Sequence, residues 1–512
     1  MNRKIGVILS YVMMIFEILS TLLLTPYILS SLGQAEFGVY KLSSSITSYL
    51  LLLDLGVSNA VVRYVAKFRA NNQLEENQKF LGVAIIYYLI IALITLILGV
   101  VLYFLFPTIF AVGLNQEEIK LGQQLLIITI INAAITLGTS AFQPVITAHE
   151  EFAFQKGWSI FQITLKIIFT YVALELGMQS LGIVIVHLIL TVVTRGIFAL
   201  YVFFKIKLRP KFKNINFGFI KEVFAYTSLV LLQMIATQIN SMVGQILLGI
   251  LVPTATVIIA IYGIGTQVVQ YFQNIGSAFN GILMPGVVKM VESDATPSRI
   301  QNEMVRIGRI KLIILSIILV GFIIYGKQFI NLWAGNESEP AYYVAIILML
   351  GYLFTNVNSV GNQILWAKNE HKEQAIIKLA IVLLNILLTV FLIKWNALLG
   401  VTIGTFIALI LGDVVLINVV IKKKLGISLV GYYLGLFKGI LPSLLITGAV
   451  GYLFSLLSLG GWLGFICNVA VMVIVYLICL LLFGFNNYEK KLLSSIFLKI
   501  FKKQKEKNNE SI

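Results

Sequence analysis

Six ionisable side chains stand inside runs of residues otherwise apolar enough for lipid: Glu17, Asp54, Lys166, Glu175, Arg195 and Asp413. Each costs about 2.5–3.5 kcal/mol at the centre of a membrane helix on insertion scales, so such groups face a cavity, a partner or a ligand. Two of the six are bases. Lys166 offers a point charge and Arg195 a planar fork, and both suit a phosphate or pyrophosphate headgroup. At a rise of about 1.5 Å per residue, Lys166, Arg195 and Asp54 fall roughly 12–14 Å above the basic ends of their helices. Two readings fit this constellation. One is a cationic floor that receives an anion, with Asp54 orienting the bases; the other is a structural ion pair of Asp54 with one of them. Glu17, Asp54 and Asp413 are also acids through which a proton or sodium gradient could act, whereas downhill flux would need none of them.

The second half of the chain carries amides and hydroxyls instead. Gln267, Gln270, Asn274, Ser277 and Gly281 step by three and four, which is one helix face. Gln233, Thr237 and Asn240 mark the preceding helix, and Thr355, Ser359, Asn362 and Gln363 a later one. Such stripes line a wet wall for sugar hydroxyls, or they bond helix to helix. Arg63, Lys67 and Lys289 fall at helix ends, where long basic side chains snorkel to a cytoplasmic rim. Other signals carry no chemistry. GFIIYGK (Gly321 to Lys327) imitates a phosphate loop but precedes Gln328, not Ser or Thr, and no strand leads into it. His149, His187 and His371 have no metal-ligand spacing. His187, two turns before Arg195, is read as a satisfied bystander, with proton coupling as the other reading. Cys467 and Cys479 share one apolar run, which argues against a disulfide or a metal site. No nucleophile–base pair is present, so no enzyme, cofactor or metal is expected.

The elements that must position these residues are membrane helices. The 512 residues are 59% hydrophobic and only 12% charged, well outside the composition of soluble domains. The formal net charge of +16 is read as loop lysines at a membrane surface, not as a nucleic-acid surface. The sequence predicts an all-α polytopic membrane protein with about fourteen spans: 5–29, 40–62, 80–106, 121–147, 158–177, 181–204, 223–249, 255–285, 312–335, 341–366, 375–394, 397–421, 437–458 and 462–484. The N-terminal run is read as a retained first span rather than a cleaved signal. Of 38 basic residues, 32 lie in the two terminal segments or the even-numbered loops and four in the odd-numbered ones. That asymmetry predicts cytoplasmic termini.

Two segments repeat. Tyr40–Lys67 and Tyr262–Lys289 align without gaps at an offset of 222 and share Tyr40/Tyr262, Tyr49/Tyr271, Val65/Val287 and Lys67/Lys289. Ile146–Phe152 aligns with Leu365–His371 at an offset of 219, matching Ala148/Ala367 and Glu151/Glu370. The expected organisation is two parallel six-helix repeats with a substrate site between them. They are an N-lobe over 1–204 and a C-lobe over 223–421, joined by a basic cytoplasmic linker over 205–222. Two further spans (422–485) and a basic cytoplasmic tail (486–512) follow.

With that pattern in place, LGQAEFGVY (Leu32 to Tyr40) and DLGVSNAVVRYVAK (Asp54 to Lys67) resemble the first loop and second-span end of Wzx-like oligosaccharide flippases. These are polysaccharide biosynthesis proteins of the multidrug/oligosaccharidyl-lipid/polysaccharide exporter superfamily. The resemblance in helix count and duplication covers nearly the whole chain. It implies two lobes in a V that alternate their access, in a bacterial-type inner membrane. The implied cargo is an undecaprenyl-pyrophosphate-linked oligosaccharide repeat unit, as used for O-antigen or capsule, moved to the outer leaflet. The implied protein is a monomer that meets other polysaccharide-assembly proteins. Lys166 and Arg195 would then hold the pyrophosphate, and the amide stripes the sugars. A cation-coupled multidrug exporter and a lipid-linked peptidoglycan precursor flippase share the fold and stay open. A membrane-embedded polymerase would be expected to carry a large basic outer loop, which 107–120 and 336–340 do not provide.

Overall fold

The computed structural model describes residues 2–54, 56–212, 218–292, 296–368, 370, 372–457 and 460–491. The described residues contain helices and no strand. In chain order, α1 is Asn2–Leu50, α2 Val57–Ala70, α3 Leu74–Ile109, α4 Gln116–Gly138, α5 Phe142–Ala148 and α6 Phe152–Glu175. Next come α7 Gln179–Leu200, α8 Gly218–Leu251, α9 Thr256–Glu292, α10 Pro297–Ala334, α11 Ala341–Ala367 and α12 Lys372–Leu392. The chain closes with α13 Ala397–Leu409, α14 Ile417–Leu425, α15 Leu429–Phe437, α16 Ile440–Ser455 and α17 Gly461–Cys479. Short π-helical turns extend α7 and α17 and join α13 to α14. In hydrocarbon each backbone N–H and C=O must be satisfied within the protein, which is why apolar runs of this length become helices.

Among the described residues, eleven helices are long and apolar enough to cross a membrane, or twelve if the bent pair α15–α16 is one span. The expected number was about fourteen, and two features account for the difference. The first two expected spans run together in α1, broken only at Gly33, whose φ of 71° is open to glycine at no cost. The eighth expected span, α9, is helical but is not among the eleven; its glutamines and asparagine dilute the apolar run. Boundaries moved as well. The second span ends as a helix at Leu50, passes through a 3-10 turn at Leu51–Asp54 and restarts as α2 after Gly56 (φ 68°). The fourth ends at Gly138, with α5 a separate helix. The thirteenth bends by 43° at Gly439.

The chain forms two compact units. The first comprises Met1–Asn274, Trp333–Leu348 and His371–Ile417; the second comprises Ile275–Leu332, Met349–Glu370 and Asn418–Ile512. In the first unit the odd-numbered loops meet. Glu36 accepts from Ser180 N (2.9 Å) and Oγ (2.5 Å), and Thr256 Oγ1 donates to Glu118 (2.8 Å). Ala255 N donates to Gly113 O (2.7 Å), and Gln34 Nε2 to Ser338 (3.3 Å). Even-numbered loops meet separately: Lys211 N donates to Gln78 O (3.0 Å) and Arg69 to Ala148 O (3.3 Å). Their core packs α2, α3, α5 and α7 around Val61, Val65, Leu81, Tyr88, Val145 and Ile146.

In the second unit Arg309 is buried and spends all its donors. It grips Glu489 through Nε (2.7 Å) and Nη2 (3.0 Å) and donates to the carbonyls of Gly435, Leu436, Lys438 and Gly484. This fastens α15, the end of α17 and the start of the basic tail to α10. Residues 213–217 of the linker and 492–512 of the tail lie outside the described residues.

Candidate functional site

Lys166 sits on α6, nine residues before its end at Glu175 and so about 14 Å in from the odd-loop end. It makes no hydrogen bond or ion pair among the described residues. The charges it feels are Glu17 on α1, His187 on α7 and Lys41 on α1. Arg195, on α7, is about 24 Å in from the same end. Its neighbours differ: Nη1 donates to Gln143 Oε1 of α5 (3.2 Å), and its nearest carboxylate influence is Asp54. The two bases therefore belong to two clusters, an upper one around Lys166 and a lower one around Arg195.

Asp54 sits where the second span breaks. Its carboxylate accepts from Tyr88 OH of α3 (2.8 Å) and Ser58 Oγ of α2 (3.0 Å). Broken helices are tolerated at membrane depth where protein or a cavity covers them, and here the acid ties both sides of the break to α3. Asp413, expected among the cavity acids, is buried in the π-helical turn after α13. Lys378 Nζ of α12 lies 2.6 Å from its Oδ1 and 2.7 Å from its Oδ2. Glu17 is exposed, with no side-chain hydrogen bond among the described residues. Glu175 accepts from Tyr27 OH at 2.5 Å.

The polar stripe of α9 divides between the units. Gln267 is fully engaged: Oε1 accepts from Lys41 Nζ (2.8 Å), and Nε2 donates to Thr25 Oγ1 (2.7 Å) and Tyr271 OH (2.8 Å). Gln270 is exposed and donates to Asn274 (2.9 Å). Gln233 is buried, and the exposed Thr237 bonds back to its carbonyl (2.8 Å). In the second unit Ser277 is exposed and Asn362 half-buried. Ser359 accepts from Lys311 (2.6 Å) while donating to Asn356 O (2.7 Å). Arg63 and Lys67 are exposed on α2; Lys289 lies on α9 with its side chain outside the described residues. GFIIYGK is interior to α10 and entirely helical.

Sequence reasoning missed two bases. Lys41 stands at the edge of the expected span 40–62 and is one of the four bases counted with the odd-numbered loops, but α1 resumes immediately after Gly33 and carries Lys41 two turns into the helix, beside Gln267 and over the Phe37 ring (5.1 Å). Lys311 was assigned to an inner loop, but it is fully buried against α11. Both sit at the start of expected spans, where only an uninterrupted helical pattern could have shown that the helix extends further. His187 is not satisfied: its Nε2 is buried without a partner among the described residues. His149, outside the spans, closes α5 with Nδ1 2.8 Å from Val145 O; partial burial holds its imidazole below the usual range. Among the described residues no three His, Cys, Asp or Glu side chains could hold a metal.

Known proteins share this architecture. A lipid II flippase, MurJ, in an inward closed conformation matches 93% of this chain and 97% of its own at a TM-score of 0.70 and 18% identity. A multidrug resistance MATE family transporter of the MOP superfamily, in an inward-facing conformation, matches 79% of this chain and 96% of its own (TM-score 0.58, 14% identity). A MOP superfamily transporter from Pyrococcus furiosus covers 82% and 96% (0.54, 16%). At these identities the likeness is one of fold. No curated protein matches the sequence. The family model described as polysaccharide biosynthesis protein matches residues 4–291, more than half of the chain. These structural neighbours are a flippase and transporters. The chain, a multi-pass membrane protein, belongs to the polysaccharide biosynthesis protein family, on the fold of the MOP superfamily.

Proposed function

We propose that this protein is a flippase for an undecaprenyl-pyrophosphate-linked oligosaccharide, carrying it from the cytoplasmic to the outer leaflet of a bacterial-type inner membrane, with both termini cytoplasmic. One observation carries the reading: among the described residues Lys166, a base at membrane depth, has no carboxylate bonded to it, Glu17 acting on it only through space. A charge left unpaired there has to be covered by something anionic that comes and goes. The pyrophosphate is the strongly anionic part of such a cargo. Arg195 provides a second base deeper along α7, and Gln270 and Asn274 of the same unit provide sugar partners. No fixed cofactor enters this reading. The polymer is assembled outside, with other membrane proteins as partners.

The test is depletion of the protein in its host, followed by extraction of lipid-linked saccharides treated with a sugar-modifying reagent that does not cross membranes. Accumulation of a protected, inner-leaflet undecaprenyl-linked oligosaccharide supports the reading and identifies the unit. Absence of accumulation, with drug or dye efflux altered, overturns it in favour of cation-coupled drug export. That alternative has its own observation, the exposed and unbonded Glu17 carboxylate.

A further inference from the structure

The two copies of the repeat touch at equivalent positions. At the offset of 222, position 41 corresponds to position 263. Lys41 lies against Gly263 closely enough that a Cβ there would meet its Cγ at 3.2 Å. Contacts flank this point. Lys41 donates to Gln267, whose own equivalent is Ser45, and Ser45 hydrogen-bonds Gln245. Tyr49 OH donates to Ile239 O (3.1 Å), and Gly38 packs on the Thr256 carbonyl. This seam between repeats lies within the first unit, toward the odd-loop end. Among the described residues its cation is Lys41, about 12 Å in from Gly33. That depth matches Lys166, and the two ammonium groups are close enough to repel.

We propose that Lys41 couples anion binding at Lys166 to the seam: an anion held by Lys166 draws the Lys41 ammonium off Gln267 Oε1, and the two repeats lose the one charge-assisted bond among those that cross between them. The inference rests on the headgroup reading above. It follows from the donor set. Gln267 satisfies Lys41 with a neutral oxygen only, whereas a charged phosphate oxygen makes a hydrogen bond about twice as strong. Without the anion, Gln267 keeps Thr25 and Tyr271 in register and the seam stays closed. With it, Lys41 and Lys166 converge on one ligand, relieving their mutual repulsion as the seam opens.

The test uses the full chain in lipid nanodiscs with Cys467→Ser and Cys479→Ala, spin labels at Ala35→Cys and Glu337→Cys, and inorganic pyrophosphate as the probe. Both label sites are exposed odd-loop positions of the first unit. Pyrophosphate is expected to shift the label distance to longer values in the parent. Lys41→Gln, which keeps an N–H donor for Gln267, is expected to weaken pyrophosphate binding and, once saturated with pyrophosphate, to lose the shift; Lys41→Arg restores it. An undiminished shift in Lys41→Gln overturns the inference and leaves the headgroup reading standing. Failure of the parent to bind pyrophosphate, or undiminished binding by Lys166→Ala, overturns both.

Discussion

The two segments that align at an offset of 222 differ in structure. Tyr40–Lys67 is broken at Asp54–Gly56 and carries Lys41, Asp54 and Arg63. Its equivalent, Tyr262–Lys289, is one unbroken stretch of α9, with Gly263 opposite Lys41 and Gly276 at the place of Asp54. Elsewhere the contrast repeats. Ionisable groups inside the second half are committed to structure: Lys378 to Asp413, Arg309 to Glu489, Lys311 to Ser359. Among the described residues of the first half, Lys166 has no hydrogen bond or ion pair and Arg195 bonds to an amide. The paired charges serve the fold; the two bases without a bonded carboxylate are the ones the proposed headgroup would cover.

The sharpest way to break this contrast is to remove the unpaired bases. Lys166→Ala with Arg195→Ala is expected to abolish transport while leaving the protein expressed and folded; unimpaired flipping in the leaflet assay would end the distinction. Next comes the paired charge. Asp413→Asn strands Lys378 and is expected to cost about 3–5 kcal/mol of stability, whereas Lys378→Met with Asp413→Leu is expected to be neutral or stabilising, because an ion pair can be replaced whole but not halved. Thermal unfolding in detergent measures both, and equal losses would show that the pair does more than hold α12 to the turn after α13. The smallest effect belongs to the rim. Arg63→Ala with Lys67→Ala removes two exposed side chains and is expected to stay within about 0.5 kcal/mol in the same assay. A larger loss would make them part of the fold.

What the sequence could reveal depended on the range of the physics involved. Hydropathy is summed over whole helices, so the helical membrane architecture and most of the spans were legible even where one residue misled. Helix ends were not, because a single glycine decides them: Gly33 separates two spans that otherwise run on, and Gly56 breaks one that composition treats as continuous. Those ends put Lys41 and Lys311 at the margins of expected spans, when each lies well inside a helix. Partner choice was also hidden. Asp54 was expected to answer a base, but its bonds go to Tyr88 and Ser58, and nothing in the spacing of Tyr87 and Tyr88 says which ring reaches across. Asp413 and Lys378 lie 35 residues apart on neighbouring helices, a pairing that only the packing of α12 on the turn after α13 could disclose.

The polarity of α9 has a consequence for biosynthesis. A translocon admits segments to the bilayer by apolarity, and α9, with its row of glutamines, falls short where the helices on either side qualify. Its stripe is satisfied by groups made long before it: Gln267 bonds Thr25 and Lys41, some 240 and 226 residues upstream. Those partners precede α9 in the chain, so they are synthesised before the glutamine that bonds them.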